Sequence, residues 1–363
     1  FFKFLAILTM KAQRKDTERS GSGFNSAGLK DHLLRLAYAN PLYNLTLKTS
    51  GDISLHFVPN DPWPGNAEKG CDILNNAFVF GGQKIDMKGK TGLYPWEPSG
   101  ASADYMAELH CFEWLRDLRS VGGDAARRKA RQMISDWIQT YGRWHPVIWS
   151  PAILARRVSA WIGFYNFFAS SADDYFRYEF NAALAAQAKH LIRVFPAQLD
   201  GLDRIHALKG VLYAHICLPI SSVSEDKIFN LIEHESAAQI WRDGVHISRC
   251  PSKHLDAFML FIDIRNLLRG AKVPVPNMFN ELINKMAAAL KFFRHGDGRL
   301  AVFEGGVEDQ ELRIDTALTQ SGYKGKVAHS ARQSGYARLS MGRTNIIIDI
   351  GPEGPDIKKW KSP

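Results

Sequence analysis

The sequence predicts a mainly α-helical protein in which antiparallel helices in series are followed by a β-rich segment. Three observations predict it. Apolar residues recur at helical spacing in one segment after another from about residue 102 to 293. The breaks between these segments are short, which makes consecutive helices antiparallel neighbours. After Phe293 the helical signal stops and short runs take over, the strongest being the β-branched Thr344-Asn345-Ile346-Ile347-Ile348-Asp349-Ile350. Helices in such number fit a bundle, a solenoid or a closed toroid. No fixed repeat period is present, which weighs against an ordinary solenoid.

Composition sets the outer bounds. With 363 residues, 45% hydrophobic and 23% charged, the chain can bury a large core and is not disordered. A formal net charge of +9 and a pI near 9.3 suit polyanionic partners: acidic polysaccharide, nucleic acid or anionic lipid. A solvated basic surface accounts for the same charge. The cysteines Cys71, Cys111, Cys217 and Cys250 form no CxxC pair, so neither a zinc knuckle nor a redox motif is indicated. The opening Phe1–Met10 is apolar but too short to cross a bilayer. It has the character of a signal-peptide core, yet no small-residue cleavage site follows. The missing initiating Met and the end soon after a strand read as a fragment.

In chain order, residues 1–30 read as a flexible leader, charged and then Ser/Gly-rich. A helix is expected over about Ser26–Ala39. Residues 50–95 read as an irregular arm in which Ile53–Phe57 and Ala77–Phe80 are short strands between prolines and paired glycines. Helices then follow at Ala103–Arg119, Asp124–Thr140, Pro151–Phe168, Asp174–Phe195, and about 204–218, 225–241, 252–269 and 277–293. Arg127-Arg128-Lys129-Ala130-Arg131 is the wet face of one of them; as a nucleic-acid patch it lacks interleaved aromatics. Arg294-His295-Gly296-Asp297-Gly298 is a turn. Leu300–Phe303, Tyr336–Leu339 and the Thr344–Ile350 run open a β-rich domain. The organisation expected is a helical domain over 31–293 and the start of a second domain over 294–363.

The stretch richest in polar chemistry is Ile240–His254. It joins two core-forming helices and gathers His246, Arg249, Lys253 and His254 around an Asp243-Gly244 turn, with Pro251 placed for the first turn of the next helix. Such a loop is a better place to seek function than the helices beside it. Trp241 there, and Trp96 in the arm, offer flat faces of the kind that stack on sugar rings.

The order of these elements, with Asp243-Gly244-Val245-His246 and Pro251-Ser252-Lys253-His254, resembles the heparinase II/III-like family of polysaccharide lyases. Trp149-Ser150-Pro151 through Ala155-Arg156-Arg157 to Trp161, and Phe292-Phe293-Arg294-His295-Gly296-Asp297-Gly298, match as well. The likeness covers about residues 95–350. It implies an (α/α) toroid followed by an antiparallel β-sandwich, with β-elimination on a uronic-acid-containing acidic polysaccharide in the cleft between them. In that chemistry cationic or amide groups stabilise the enolate-like intermediate, while a Tyr or His removes the C5 proton and an acid protonates the leaving oxygen.

Under the resemblance His206, His246, Lys253 and Arg204 are catalytic candidates, and Arg249, Trp241, Arg156, Trp96 and His254 substrate contacts. The family's Asn-His pair reads Ile205-His206 here, with Arg204 beside it as a possible replacement, and the family's Tyr position reads Lys253. These departures open an alternative: a catalytically degenerate glycan-binding or cell-envelope protein of the same fold. Plainer readings stand beside each candidate. His206 suits a buried core histidine, Arg249 and Lys253 suit solvated surface, and Arg156 either reaches the toroid cavity or snorkels outward. No cofactor is visible; the family's structural zinc ligands would fall mostly beyond Pro363. The implied partner is acidic polysaccharide, not nucleic acid, with no membrane span. The implied compartment is the periplasm or cell envelope.

Overall fold

The structure is a computed structural model that describes residues 26–49, 53–87, 96–195, 199–220, 223–342 and 344–351. The expected leader falls largely outside them. The chain divides into two compact units, Phe1–Tyr43 and Asn44–Pro363. Helix α1 (Ser26–Ala39) lies in the first, and α2 (Pro41–Leu47) spans the division.

In the second unit the order is α3 (Ala67–Leu74), β1 (Ala77–Phe80), β2 (Gln83–Asp86), α4 (Ala103–Cys111), α5 (Leu115–Val121), α6 (Gly123–Tyr141), α7 (Pro151–Gly163) and α8 (Tyr165–Phe168). Then come α9 (Asp174–Val194), α10 (Gly201–Cys217), α11 (Glu225–Gln239), α12 (Pro251–Gly270), α13 (Asn277–Phe293) and α14 (Glu311–Ser321). A three-stranded antiparallel sheet follows: β3 (Ser330–Ala331), β4 (Tyr336–Met341) and β5 (Thr344–Asp349). In it Leu339 faces Ile346 and Ala337 faces Ile348.

Two layers of helix result. Helices α4, α7, α10 and α12 pack one against the next; α9, α11 and α13 lie against this inner row, and α6 reaches α4 and α7 through Trp137, which touches His110 and Trp161. Burial follows the sequence. The inner helices α10 and α12 are apolar on nearly every side; α12 buries Leu255, Phe258, Ile262 and Leu267 together with His254 and Asp263. The outer α6 buries one stripe, Ala126, Ala130, Met133 and Trp137, and leaves Arg127 and Arg128 exposed. Helix ends match their chemistry. Ser102 and Asp173 accept the N–H groups of Tyr105 and Phe176 at 3.1 and 2.7 Å, and Pro151 and Pro251 open α7 and α12. The inner row depends on one glycine: a Cβ on Gly210 of α10 would sit 2.8 Å from the carbonyl oxygen of Ala155 on α7.

Four local expectations are corrected. The helix expected over Ala103–Arg119 breaks at Phe112, which adopts a left-handed conformation with φ of 61°. The break buries its ring among Trp96, Trp114, Trp137 and Trp161, at centroid distances of 5.0 to 5.9 Å, and that burial outweighs the roughly 1–2 kcal/mol of backbone cost. Ile53–Phe57 forms no strand; its chain is held by a bond from His56 N–H to the Cys217 carbonyl at 2.9 Å. Leu300–Phe303 contributes only an isolated bridge between Leu300 and Arg294. Helix α14 lies where the helical signal stops. Its buried stripe is only Ile314, Ala317 and Ser321, too small to register beside its charges.

Candidate functional site

The polar centre of the molecule is a recess lined from the arm by Pro59, Asn60 and Asp61, from the α4–α5 region by Glu113 and Arg116, from α7 by Arg156, Ser159, Ala160 and Gly163, and from α10 by Lys209 and Tyr213, with Phe164 beside them. It is a narrow cleft, partly open to solvent. On α10 the spacing does the positioning. His206, Lys209 and Tyr213 stand at i, i+3 and i+7, one face of a helix, while Ile205, Leu208 and Leu212 fill the packing around it.

Charges in the recess are paired. Asp61 takes a two-pronged bond from Arg116, at 2.7 and 3.2 Å, and a third bond from Arg119 at 2.7 Å. Burial pushes its pKa up, but the two guanidiniums outweigh burial and hold it below the usual carboxylate value. Glu113 meets Arg156 at 2.6 Å. Burial again opposes ionisation, and Arg156 again overcomes it, so Glu113 stays charged. Lys209 meets Asp263 at 2.5 Å, with the ammonium 5.3 Å from the centroid of the Tyr213 ring. Trp63 Nε1 donates to the other Asp263 oxygen at 2.7 Å. Burial, joined by Asp61, raises the Asp263 carboxyl in spite of Lys209.

Two groups here are held away from their ordinary pKa. His206 makes no hydrogen bond among the described residues. Burial, with Arg156 and Lys209 nearby, lowers its pKa to about 3, against the pull of Glu113. Tyr213 lies under the same carboxylates; burial and then Asp263 and Asp61 keep its proton on well above the ordinary phenol value. One donor is unspent: Arg156 Nε is buried and has no acceptor.

The residues read from the sequence fall in three places. His206 and Arg156 belong to the recess region. Arg204 and His246 belong to a buried polar chain beside it. Arg204 pairs with Glu235 at 2.6 Å, Gln239 donates to Glu235 at 2.7 Å, and Gln239 Oε1 meets His246 Nε2 at 3.1 Å. The remaining candidates are elsewhere. The Ile240–His254 loop is a joint between the helices and the sheet. Arg249 is 1% exposed; its Nε donates to the Ser334 carbonyl at 2.9 Å, its guanidinium pairs with Asp349 and Glu304, and it lies 4.8 Å from the Tyr336 ring centroid. Asp243 caps the β3–β4 turn by accepting from Ser334 N–H and Oγ at 2.8 and 3.0 Å. Gly244 (φ 88°) is tight against α13: a Cβ would lie 2.2 Å from the Lys285 carbonyl oxygen.

The candidates His206, His246 and Arg249, expected at one cleft, therefore do not meet in one place. They face different partners because the loop's hydrogen bonds are taken up by docking. His254 is fully buried and bonds the Met286 carbonyl at 3.0 Å. Lys253 is exposed at the start of α12. Trp241 is half-buried on the joint. Trp96 is a core residue, its ring stacked on Phe112 at 5.9 Å and its Nε1 donating to Asp136 at 2.5 Å, so it offers no face to a sugar. The His295-Gly296-Asp297-Gly298 segment is a turn closed by His295 N–H on the Arg299 carbonyl at 2.8 Å.

Sequence reading missed Asp61, Glu113, Arg116, Lys209, Tyr213 and Asp263. One signal was available: Lys209 interrupts the apolar run Ala207-Leu208-Lys209-Gly210-Val211, one turn after His206 and one before Tyr213. Among the described residues no group of three or more His, Cys, Asp or Glu is arranged to hold a metal ion. No step is assigned to a metal. None of the described helices is long and apolar enough to cross a membrane.

No family model matches the chain. Over 326 residues it is 30% identical to FtsZ-localized protein C of Caulobacter vibrioides (strain NA1000 / CB15N), with 88% of this chain and 55% of that protein aligned. The chain thus spans about half the length of the curated relative it matches. Among solved structures it is similar to heparinase III, at a TM-score of 0.62 and 16% identity over 90% of this chain and 58% of that one. It is also similar to the heparan sulfate lyase HepC from Pedobacter heparinus, at 0.53 and 17% over 89% and 57%. These likenesses show the fold: a helical toroid of the heparinase type followed by the start of its β layer.

Proposed function

We propose that this heparinase-fold chain is a binding module for acidic glycan that does not carry out polysaccharide lyase chemistry. One observation carries the reading: the positions where the family shows Asn and Tyr hold a buried Ile205 and a solvent-exposed Lys253, and neither can act on a sugar bound in the recess. A lyase base must have a pKa matched to that task. Tyr213 holds its proton too tightly, and His206, lowered to about 3, is too weak an acceptor. Lys253 is out in solvent, and Ile205, where the family shows Asn, is buried among apolar side chains. Cations that would neutralise an enolate already serve Asp61, Glu113 and Asp263. Binding remains possible, and the net charge of +9 favours anionic polymers.

The test is incubation with alginate, heparin, chondroitin and hyaluronan, reading unsaturated uronate by ultraviolet absorbance and binding by calorimetry. Salt-sensitive binding without absorbance gain is expected. Unsaturated product from any of these polymers overturns the binding-only reading, and absence of binding overturns the glycan. The name of the relative favours a second reading, in which the partner is FtsZ. Sedimentation with FtsZ filaments, together with failure to bind any glycan, would put that reading in place of the first.

A further inference from the structure

Resting on the glycan reading, we infer that the acidic glycan binds outside the recess, along a basic strip formed by helix α13 and the 323–333 loop. The sequence supplies the first observation. From Thr316 to Ile348 there is no Asp or Glu, while Lys324, Lys326, Arg332, Arg338 and Arg343 all fall in that run. The fold lays the run beside a second row of cations. On α13, Glu281, Lys285, Ala288 and Lys291 recur at helical spacing on the side away from the buried Ile283, Met286 and Leu290. Lys285 and Lys291 are about 9 Å apart along the axis. The loop is tied to this helix near both of its own ends. Lys291 Nζ donates to the Gly325 carbonyl at 3.1 Å and lies 5.2 Å from the Tyr323 ring centroid. At the other end Gln333 N–H donates to Asp243 at 3.0 Å, and a Cβ on the adjoining Gly244 would collide with the Lys285 carbonyl. Arg338 binds the middle: its N–H donates to the His329 carbonyl at 2.9 Å, and its guanidinium to the Phe292 carbonyl.

The cations of the strip are unspent. Lys285, Lys324, Lys326 and Arg332 are exposed, as is Arg242 beside Asp243, and none of the five makes an ion pair among the described residues. The charge does not cancel when the surroundings are counted. These five, Lys291, Arg294 and Arg338 are eight cations, against the five carboxylates Asp243, Glu281, Asp297, Glu311 and Asp315, a surplus of three. In the recess, by contrast, Arg116, Arg119, Arg156 and Lys209 already touch carboxylates. A polyanion on the strip has no existing ion pair to break, and its approach is favoured by an uncompensated positive field. Neutral hydrogen-bonding groups lie among the charges: Asn284, His329 and Gln333 are exposed there too. A chain of sugar acids presents acid groups and hydroxyls in alternation and can use both. Polyglutamate or a DNA strand offers no such row of hydroxyls.

The experiment measures binding of length-matched alginate, hyaluronan and heparin oligosaccharides to the full chain by calorimetry, at low and at physiological salt. The variant Lys324→Glu/Lys326→Glu/Arg332→Glu should weaken the tightest of these at least about tenfold and flatten its salt dependence. Its melting temperature should be kept, because all three side chains are exposed. Lys84→Glu/Arg127→Glu/Lys227→Glu makes the same change of charge at exposed positions elsewhere and should weaken binding by about twofold or less. Equal losses from the two triple variants overturn the inference, because net charge is then the cause. Loss on Arg156→Gln, with the strip variant binding as wild type does, returns the ligand to the recess and overturns it as well. Tighter binding of oligoglutamate or single-stranded DNA of matched charge overturns the glycan as the ligand of the strip. If wild type binds none of the three glycans, the glycan reading itself falls, and the strip site with it.

Discussion

Arg249→Ala separates a joint from a binding loop. Its Nε bond to the Ser334 carbonyl is worth about 1 kcal/mol net. The guanidinium over the Tyr336 ring contributes about 1 kcal/mol more. The pairs with Asp349 and Glu304 add about 1–2 kcal/mol together, reduced from a fully buried value because those carboxylates are 28% and 22% exposed and can rehydrate. The loss should therefore be about 3–4 kcal/mol. Because most of the cost falls on the contact between the 240–254 loop and the β3–β5 segment, the sheet should loosen before the helices do. Hydrogen exchange should show lost protection at β4 and β5 amides, with α7 and α10 unchanged. Arg249 also sits at φ of 57°, so Arg249→Gly removes the same contacts but relaxes the backbone, and should be milder than Ala by about 1 kcal/mol. If Arg249→Ala abolishes glycan binding while the sheet amides stay protected, the joint reasoning is wrong and the loop is a binding site.

Other outcomes follow from the same geometry. Gly244→Ala, forced to φ of 88° with a Cβ 2.2 Å from the Lys285 carbonyl oxygen, should cost about 3 kcal/mol or more in urea unfolding; a near-neutral effect would show that the loop does not press on α13. Gly210→Ala should cost about 1–3 kcal/mol by prising α10 from α7, and a stabilised variant would contradict the close crossing. Acid should destabilise the fold through its buried histidines. His110, His190 and His246 are lowered from 6.5 to about 3, and His254 to about 4, chiefly by burial. The unfolded chain therefore binds more protons below pH 6.5, so stability is full above that pH and is lost progressively as pH falls from 6.5 toward about 3. Urea midpoints at pH 7 and pH 5 should differ clearly, and equal midpoints would count against neutral burial.

Sequence alone went far with the fold and only part of the way with the site. Helical periodicity located the helices from α6 to α13 to within a few residues, because each must bury an apolar stripe and the stripe is written at helical spacing. It could not see the break at Phe112, since there the ring's place in an aromatic cluster overrides an otherwise continuous pattern. The loop 240–254 drew the eye because it is rich in polar groups. Yet a list of donors does not say whether they are spent: those of Arg249 go to Ser334, Asp349 and Glu304, and His254 bonds the Met286 carbonyl.

What the amino-acid order determined by itself is the succession of amphipathic and all-apolar helices, the turns between them and a basic surface. Only the tertiary structure decided which charges meet. Asp61 reaches Arg116 and Arg119, and Lys209 reaches Asp263, across separations of 54 to 58 residues. Whether a histidine or a tyrosine in such company can accept or release a proton depends on burial and neighbouring charge, which arise only when distant helices are packed side by side.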